Sequence, residues 1–147
     1  GFDAYEVSNH ARGVAARSSH NLHVWRGGDY LGLGPGAHGR LTLDGARTAT
    51  VAHRGIADYV TGVAAGTPWS EHQPLSPSDA AEEKVLLGLR TVEGVALAEL
   101  ATLRRTVDGG PLAELIADGF LEVEAGQVRA TATGRPVLDS VLSSLLT

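Results

Sequence analysis

The chain has 147 residues, a formal net charge of −5, no cysteine and no methionine, so disulfides and thiolate-held metals are excluded and the cytoplasm is the default expectation. No apolar run approaches the roughly 18 residues of a membrane span, and the opening GFDAYEVSNH lacks the charged-then-apolar pattern of a signal peptide. With Gly1 first and no methionine anywhere, the sequence reads as a segment of a longer protein, long enough for one sizeable core or two small ones.

Phe2 to Ser8 alternates apolar and polar residues and predicts a strand. Ser19 to Arg26, SHNLHVWR, is dense in ligand-type side chains. If helical, it sets His20, His23 and Val24 on one side and Asn21 with Trp25 on the neighbouring one. Asp29 to Gly34 predicts a second strand, running into a glycine-rich stretch from Gly32 to Gly39. Arg40–Leu43 and Arg47–Val51 flank Asp44-Gly45, a dipeptide that accepts positive φ in a tight hairpin. Arg54 to Ala65 predicts a helix with Ile56, Tyr59, Val60 and Val63 on one face. From Gly66 to Ser78 three prolines and a glycine break every periodicity. The expected organisation is therefore a first domain over 1–69, a linker over 70–78 and a second domain over 79–147.

The two halves differ in charge. Gly1–Trp69 carries six basic and five acidic residues, Ser70–Thr147 six and twelve, and five of the six histidines lie in front. Behind the linker, Ser76-Pro77-Ser78-Asp79 supplies an N-cap, a proline at the first helical position and an early acid. Val85, Leu86 and Leu89 form the buried stripe of that helix. A short helix over Leu97–Leu103 follows, then a third after Asp108, with Leu112, Leu115 and Ile116 inward and Gly119 as its left-handed stop. Phe120–Glu124 and Gln127–Thr131 turn at Ala125-Gly126, and Thr133 caps a last helix bearing Val137, Leu138, Val141, Leu142 and Leu145. Three helices, a hairpin and a closing helix is the order of a winged-helix domain. DNA reading is not expected of it, because Asp108–Asp118 holds three acids and no base to meet phosphate.

Chemistry belongs to the front third. Gly34, Gly36 and Gly39 formally spell G-x-G-x-x-G, but a hairpin follows where a dinucleotide site needs a helix, so the Rossmann reading fails. What survives is glycine's freedom to bring bare backbone N–H and C=O groups close to a ligand, with a merely tight turn as the plain alternative. His20 and His23 could chelate one ion from one side, yet zinc lacks a third ligand, and histidines bonded to backbone remain the plain alternative. Glu6 could point into a cleft or cap a loop. Glu82, Glu83 and Lys84 read as a solvated helix face, and Trp69 as an anchor.

GFDAYEVSNHA, RSSHNLHVWRGGDYLGLGPGAHGRL, EEKVLLGLRTVEGVAL and ATATGRPVLDSVL together resemble the oxygen-independent coproporphyrinogen III oxidase-like radical S-adenosylmethionine (SAM) proteins, and most closely their haem-chaperone branch, with its HNxxYW and GDYLGxGxGAH motifs. The resemblance implies an α/β plus α fold: the last strands of a partial, TIM-like β/α barrel, then a small winged-helix-like domain. It implies SAM on the side of Ala11, Gly34, Gly36, Ala37 and His38. It also implies haem at His20, Asn21 and Trp25, with His20 as the iron ligand. Val24 stands where the motif has tyrosine, and Pro35 where small residues are common. The family's 4Fe-4S ligands lie upstream, so this chain alone is expected to be inactive. The implied partners are haem or porphyrin and haem-accepting respiratory proteins, with no nucleic acid and no membrane span; open sheet edges leave pairing with a second copy open. A working coproporphyrinogen III dehydrogenase, which decarboxylates propionates, and a protein-interaction module are the alternatives.

Overall fold

A computed structural model describes all 147 residues, Gly1–Thr147. The fold is mixed α/β, in two compact units: residues 1–27 with 77–147, and residues 28–76. The N-terminal segment thus belongs with the C-terminal half, whereas a division near residue 70 was expected.

In the first unit, β1 (Asp3–Ala4) pairs antiparallel with β2 (His10–Ala11), and α1 spans Ser19–Trp25. The predicted strand Phe2–Ser8 is cut short because the chain turns back at once. Tyr5 N–H donates to the Asn9 carbonyl, and the Asn9 amide donates to the Glu6 carboxylate. Glu6, 2% exposed, is therefore held inside a turn, and its backbone bridges to Thr91.

Then α3 (Pro77–Gly88), β6 (Val95–Ala96), α4 (Leu97–Thr102), α5 (Gly110–Ala117), β7 (Leu121–Glu124), β8 (Gln127–Ala130) and α6 (Leu138–Leu146) follow. The sheet order is β6-β8-β7. Val85, Leu89, Leu100, Leu112, Leu121, Val128 and Leu145 are almost wholly buried and form its core. Each such side chain contributes roughly 1.5–3 kcal/mol by leaving water. The helical periodicity placed α3, α5 and α6 within a few residues. Ala125 and Gly126, at φ 50° and 77°, make the β7–β8 turn, and Gly119, at φ 76°, ends α5. Two details differ. Strand β6 carries no alternation long enough to read. Thr131, not Thr133, holds the approach to α6, accepting the Gly134 N–H at 3.1 Å and donating to the Gly119 carbonyl at 2.6 Å. A single 3-10 turn, Arg135–Val137, then intervenes before α6.

The second unit has β3 (His38–Leu43), β4 (Ala46–Ala52), α2 (Ile56–Ala64) and β5 (Trp69–Pro74), in the order β3-β4-β5. Leu43 faces Ala46 across Asp44 and Gly45, both at positive φ, as the dipeptide requires. Most of the expected linker is strand: Ser70–Pro74 pairs with β4 despite Pro74, since an edge strand tolerates a missing donor. Asp29–Gly34 forms only a Tyr30 bridge to Arg40. Every strand pair in the chain is antiparallel, so it holds no parallel barrel pair; parallel strands need a crossover neighbour.

Candidate functional site

The residues expected to bind ligands are divided between the units. Ala11, His20, Asn21 and Trp25 lie in the first; Gly34, Gly36, Ala37 and His38 lie in the second.

In the first unit the Ser18 hydroxyl caps α1 by accepting the Asn21 N–H at 3.2 Å. The helix buries Leu22 against Tyr5 and Ala11 and exposes His20 and His23. Ala11, 4% exposed, spends its methyl group in that small core. Only its backbone remains to meet a ligand. Trp25 closes the helix half-buried, with its indole N–H buried and lacking an acceptor. The Arg90 guanidinium stands 5.9 Å from the Trp25 ring centroid, a cation–π contact.

Arg26 fixes the end of α1 with a two-pronged pair to Glu93, at 2.8 Å and 2.6 Å. The hydrogen bond from Arg26 holds the Glu93 carboxyl below its ordinary pKa, and the same bond raises that of Arg26. A second pair, Lys84 to Glu99 at 2.6 Å, ties α3 to α4, so Lys84 is more than a solvated face residue.

Trp25 also borders a cavity of about 450 Å³, walled by Val7, Arg90, Arg135, Pro136 and Ser140 among others. Arg90 pairs there with Asp139 at 3.4 Å, but the Asp139 side chain is 93% exposed. Neither arginine stands out in the sequence. Each is remote from Trp25 along the chain, and only the fold brings the segment just after α3 and the 3-10 turn before α6 to one cavity beside it.

In the second unit Gly34 and Gly36 take φ 106° and 72°, where other residues are strained. The N–H groups expected to be bare are in use: Gly34 donates to the Tyr59 hydroxyl at 3.1 Å, Gly36 to the His53 carbonyl at 2.9 Å, and Ala37 to the Gly34 carbonyl at 3.2 Å. A buried amide must find some acceptor, and the loop finds its own. Its glycines also let backbone meet backbone: a Cβ on Gly32 would lie 2.3 Å from the His38 carbonyl oxygen. Only Gly34 faces open space, with nothing within 4 Å of a built Cβ. His38 opens β3 with an exposed side chain.

No group of three or more His, Cys, Asp or Glu side chains is placed to hold a metal ion. Without cysteine the chain does not fit a thiolate-bound iron–sulfur cluster. The His20 imidazole is exposed and could serve as a single ligand to a metal carried by a cofactor, and Gly34 leaves open space beside a loop whose own donors are taken. No helix is long and apolar enough to cross a membrane.

Residues 75–137 match the family model of the HemN C-terminal domain. That match runs from the start of α3 to the turn before α6, so it covers most of the large core. Similarity continues into the front third. The chain is 35% identical over 160 residues to the mouse "Radical S-adenosyl methionine domain-containing protein 1, mitochondrial", covering 99% of this chain and 36% of that protein. It is 34% identical over 147 residues to "Heme chaperone HemW" of Mycobacterium tuberculosis, covering 99% and 35%. The chain therefore spans little more than a third of the curated relatives it matches. Among solved structures it is similar in fold to the radical SAM enzyme coproporphyrinogen III oxidase (HemN) from Escherichia coli. The TM-score is 0.56 at 20% identity, over 82% of this chain and 29% of that one. Over nearly its whole length, then, the chain is similar in sequence to proteins named HemW and radical SAM domain-containing protein 1.

Proposed function

We propose that this chain works in a radical SAM haem chaperone, binding haem and passing it on, with His20 as iron ligand and Asn21 and Trp25 beside it. The observation that carries the reading is that similarity to proteins named heme chaperone HemW spans 99% of the chain, α1 included. The exposed His20 imidazole supports it.

In this reading residues 1–69 complete the end of a partial β/α barrel, whose parallel neighbours come from elsewhere in the protein. Residues 79–147 form the winged-helix-like domain, supported by three helices followed by the β7–β8 hairpin and α6. SAM lies on the side of Ala11, Gly34, Gly36, Ala37 and His38; Tyr59 and His53 hold that loop in shape. The 4Fe-4S ligands are outside this chain. The acceptors are haem-using respiratory proteins, and the work is cytoplasmic, although several relatives bear mitochondrial names. His20→Ala is expected to weaken haem retention about tenfold or more, read from the Soret band after gel filtration, and unchanged retention removes His20 from the site.

A second reading, a coproporphyrinogen III dehydrogenase, draws on the fold likeness to E. coli HemN. Carbon dioxide release from substrate by the anaerobic, cluster-loaded full-length protein would favour it over the chaperone.

A further inference from the structure

We infer that the cavity bounded by Trp25, Arg90 and Arg135 is a carboxylate subsite, built to take the acidic arm of a flat, largely apolar ligand. Three features lead there. Arg90 and Arg135 border one cavity of about 450 Å³ with Val7 and Pro136, so cationic forks and apolar walls face the same space. That size suits an acidic arm with part of a ring system. A guanidinium matches a carboxylate with two parallel hydrogen bonds, a geometry few other groups meet.

Neither arginine is committed elsewhere. Arg135 has no acidic partner, and Arg90 has only Asp139, at 3.4 Å and 93% exposed on its side. An exposed pair that long is worth little and yields readily to a better anion. The third feature is the Trp25 indole N–H, buried without an acceptor. A buried donor left unpaired costs free energy, so the Trp25 corner of this unit is short of one acceptor. The Trp25 ring, stacked under Arg90, also offers a flat apolar face.

An adjoining cavity of about 210 Å³ shares Val7, Arg90, Arg135 and Pro136 but is lined by the Glu6 carboxylate as well. The Glu6 carboxylate is buried and holds Asn9, whereas the one acid of the larger cavity, Asp139, is almost wholly exposed and free to swing away from an incoming anion. If the chain handles haem, the arm is a propionate; that identity rests on the proposed function, whereas the subsite does not.

The test uses the full chain with Trp69→Phe, so that Trp25 is the sole tryptophan. Haem, haem dimethyl ester and benzoate are titrated against Trp25 fluorescence. Arg90→Gln and Arg135→Gln are each expected to weaken haem and benzoate binding about tenfold and to leave the dimethyl ester unchanged, because the ester keeps the ring and loses the charge. Arg135→Lys should recover part of the loss, and an unchanged melting temperature for Arg135→Gln separates recognition from folding. Equal haem affinity in both glutamine variants, with benzoate silent, overturns the subsite and leaves the chaperone reading standing. Benzoate binding that depends on Arg135, in a chain that does not bind haem, supports the subsite and removes the chaperone reading.

Discussion

The two units bury opposite kinds of side chain. In residues 1–27 with 77–147, leucines and valines from four helices and a sheet close on one another, and Val85, Leu100, Leu112, Val128 and Leu145 are wholly buried. In residues 28–76 the buried side chains are Arg47, Thr48, Thr50 and Ala52, while Leu33, Ile56 and Val60 are 84%, 74% and 60% exposed. The first unit is held by the hydrophobic effect; the second is held mainly by its hairpin ladder and a few polar contacts. Apolar periodicity therefore reports burial only where the chain itself provides the other face. α2 has the sequence of an amphipathic helix, yet its stripe stays in water.

The largest expected effect follows directly. Leu112→Ala should cost about 2–5 kcal/mol in urea unfolding, as large-to-small changes at buried leucines do, whereas Val60→Ala on α2 should stay within about 0.5 kcal/mol. Trp25 and Trp69 lie one in each unit, so Trp25→Phe and Trp69→Phe let each be followed separately. The Trp69 signal should change at the lower urea concentration. Coincident transitions, or a Val60→Ala cost equal to that of Leu112→Ala, would break the contrast.

Next in size is a test of backbone approach. Gly94 and Gly45 share nearly the same φ, 77° and 79°, but a Cβ on Gly94 would stand 2.1 Å from the Val128 carbonyl oxygen, while one on Gly45 meets nothing within 4 Å. Gly45→Ala should cost only the left-handed penalty, about 1 kcal/mol. Gly94→Ala should cost that plus the displacement of β8, about 3 kcal/mol together. Equal melting temperatures for the two variants would mean that β8 gives way freely and that the first unit is less tightly packed than its core suggests.

These contrasts also mark what was legible. The elements of the C-terminal half could be read because turn chemistry, proline placement and the 3.6-residue period agree at α3, α5, the β7–β8 turn and α6. The front third resisted. The strand expected over Phe2–Ser8 is broken by a side-chain contact, Asn9 to Glu6, that no propensity encodes. The expected linker is mostly strand because β4 offers an unpaired edge, a tertiary fact. At the candidate site, the shared side of His20 and His23 could be read only on the condition that the segment is helical, which α1 meets. The occupied amides of the glycine loop did not, since their acceptors, Tyr59 and His53, lie well beyond the motif. Arg90 and Arg135 near Trp25 were invisible for the same reason.

A smaller effect probes that loop. Tyr59→Phe removes the acceptor of the Gly34 N–H and nothing apolar, so it should cost about 1 kcal/mol in the second unit, seen by Trp69, and leave the Trp25 transition unmoved. Hydrogen exchange at Gly34 should quicken in step. A response at Trp25 of equal size would show the units to be coupled more tightly than their separate cores imply.

The smallest effect concerns Arg26 and Glu93, which anchor the end of α1 within the well-packed unit. Because the hydrogen bond from Arg26 lowers the folded pKa of Glu93, the folded state binds its proton less readily than the unfolded chain does. The pair's contribution is thus fully present above the ordinary glutamate value of 4.5 and is lost as pH falls through the lower folded value. Arg26 moves the other way, and its raised pKa keeps it charged throughout this range. With side chains 55% and 40% exposed, solvent screens the pair, and its worth is at most about 1 kcal/mol. Glu93→Gln should therefore lower stability by less than that at pH 7, with the difference from wild type shrinking as pH drops below 4.5, in urea melts followed by Trp25. A gap that persists undiminished in acid would assign the loss to packing beside Trp25 rather than to charge, and would move this corner of the molecule from electrostatic anchoring to the same apolar logic as its core.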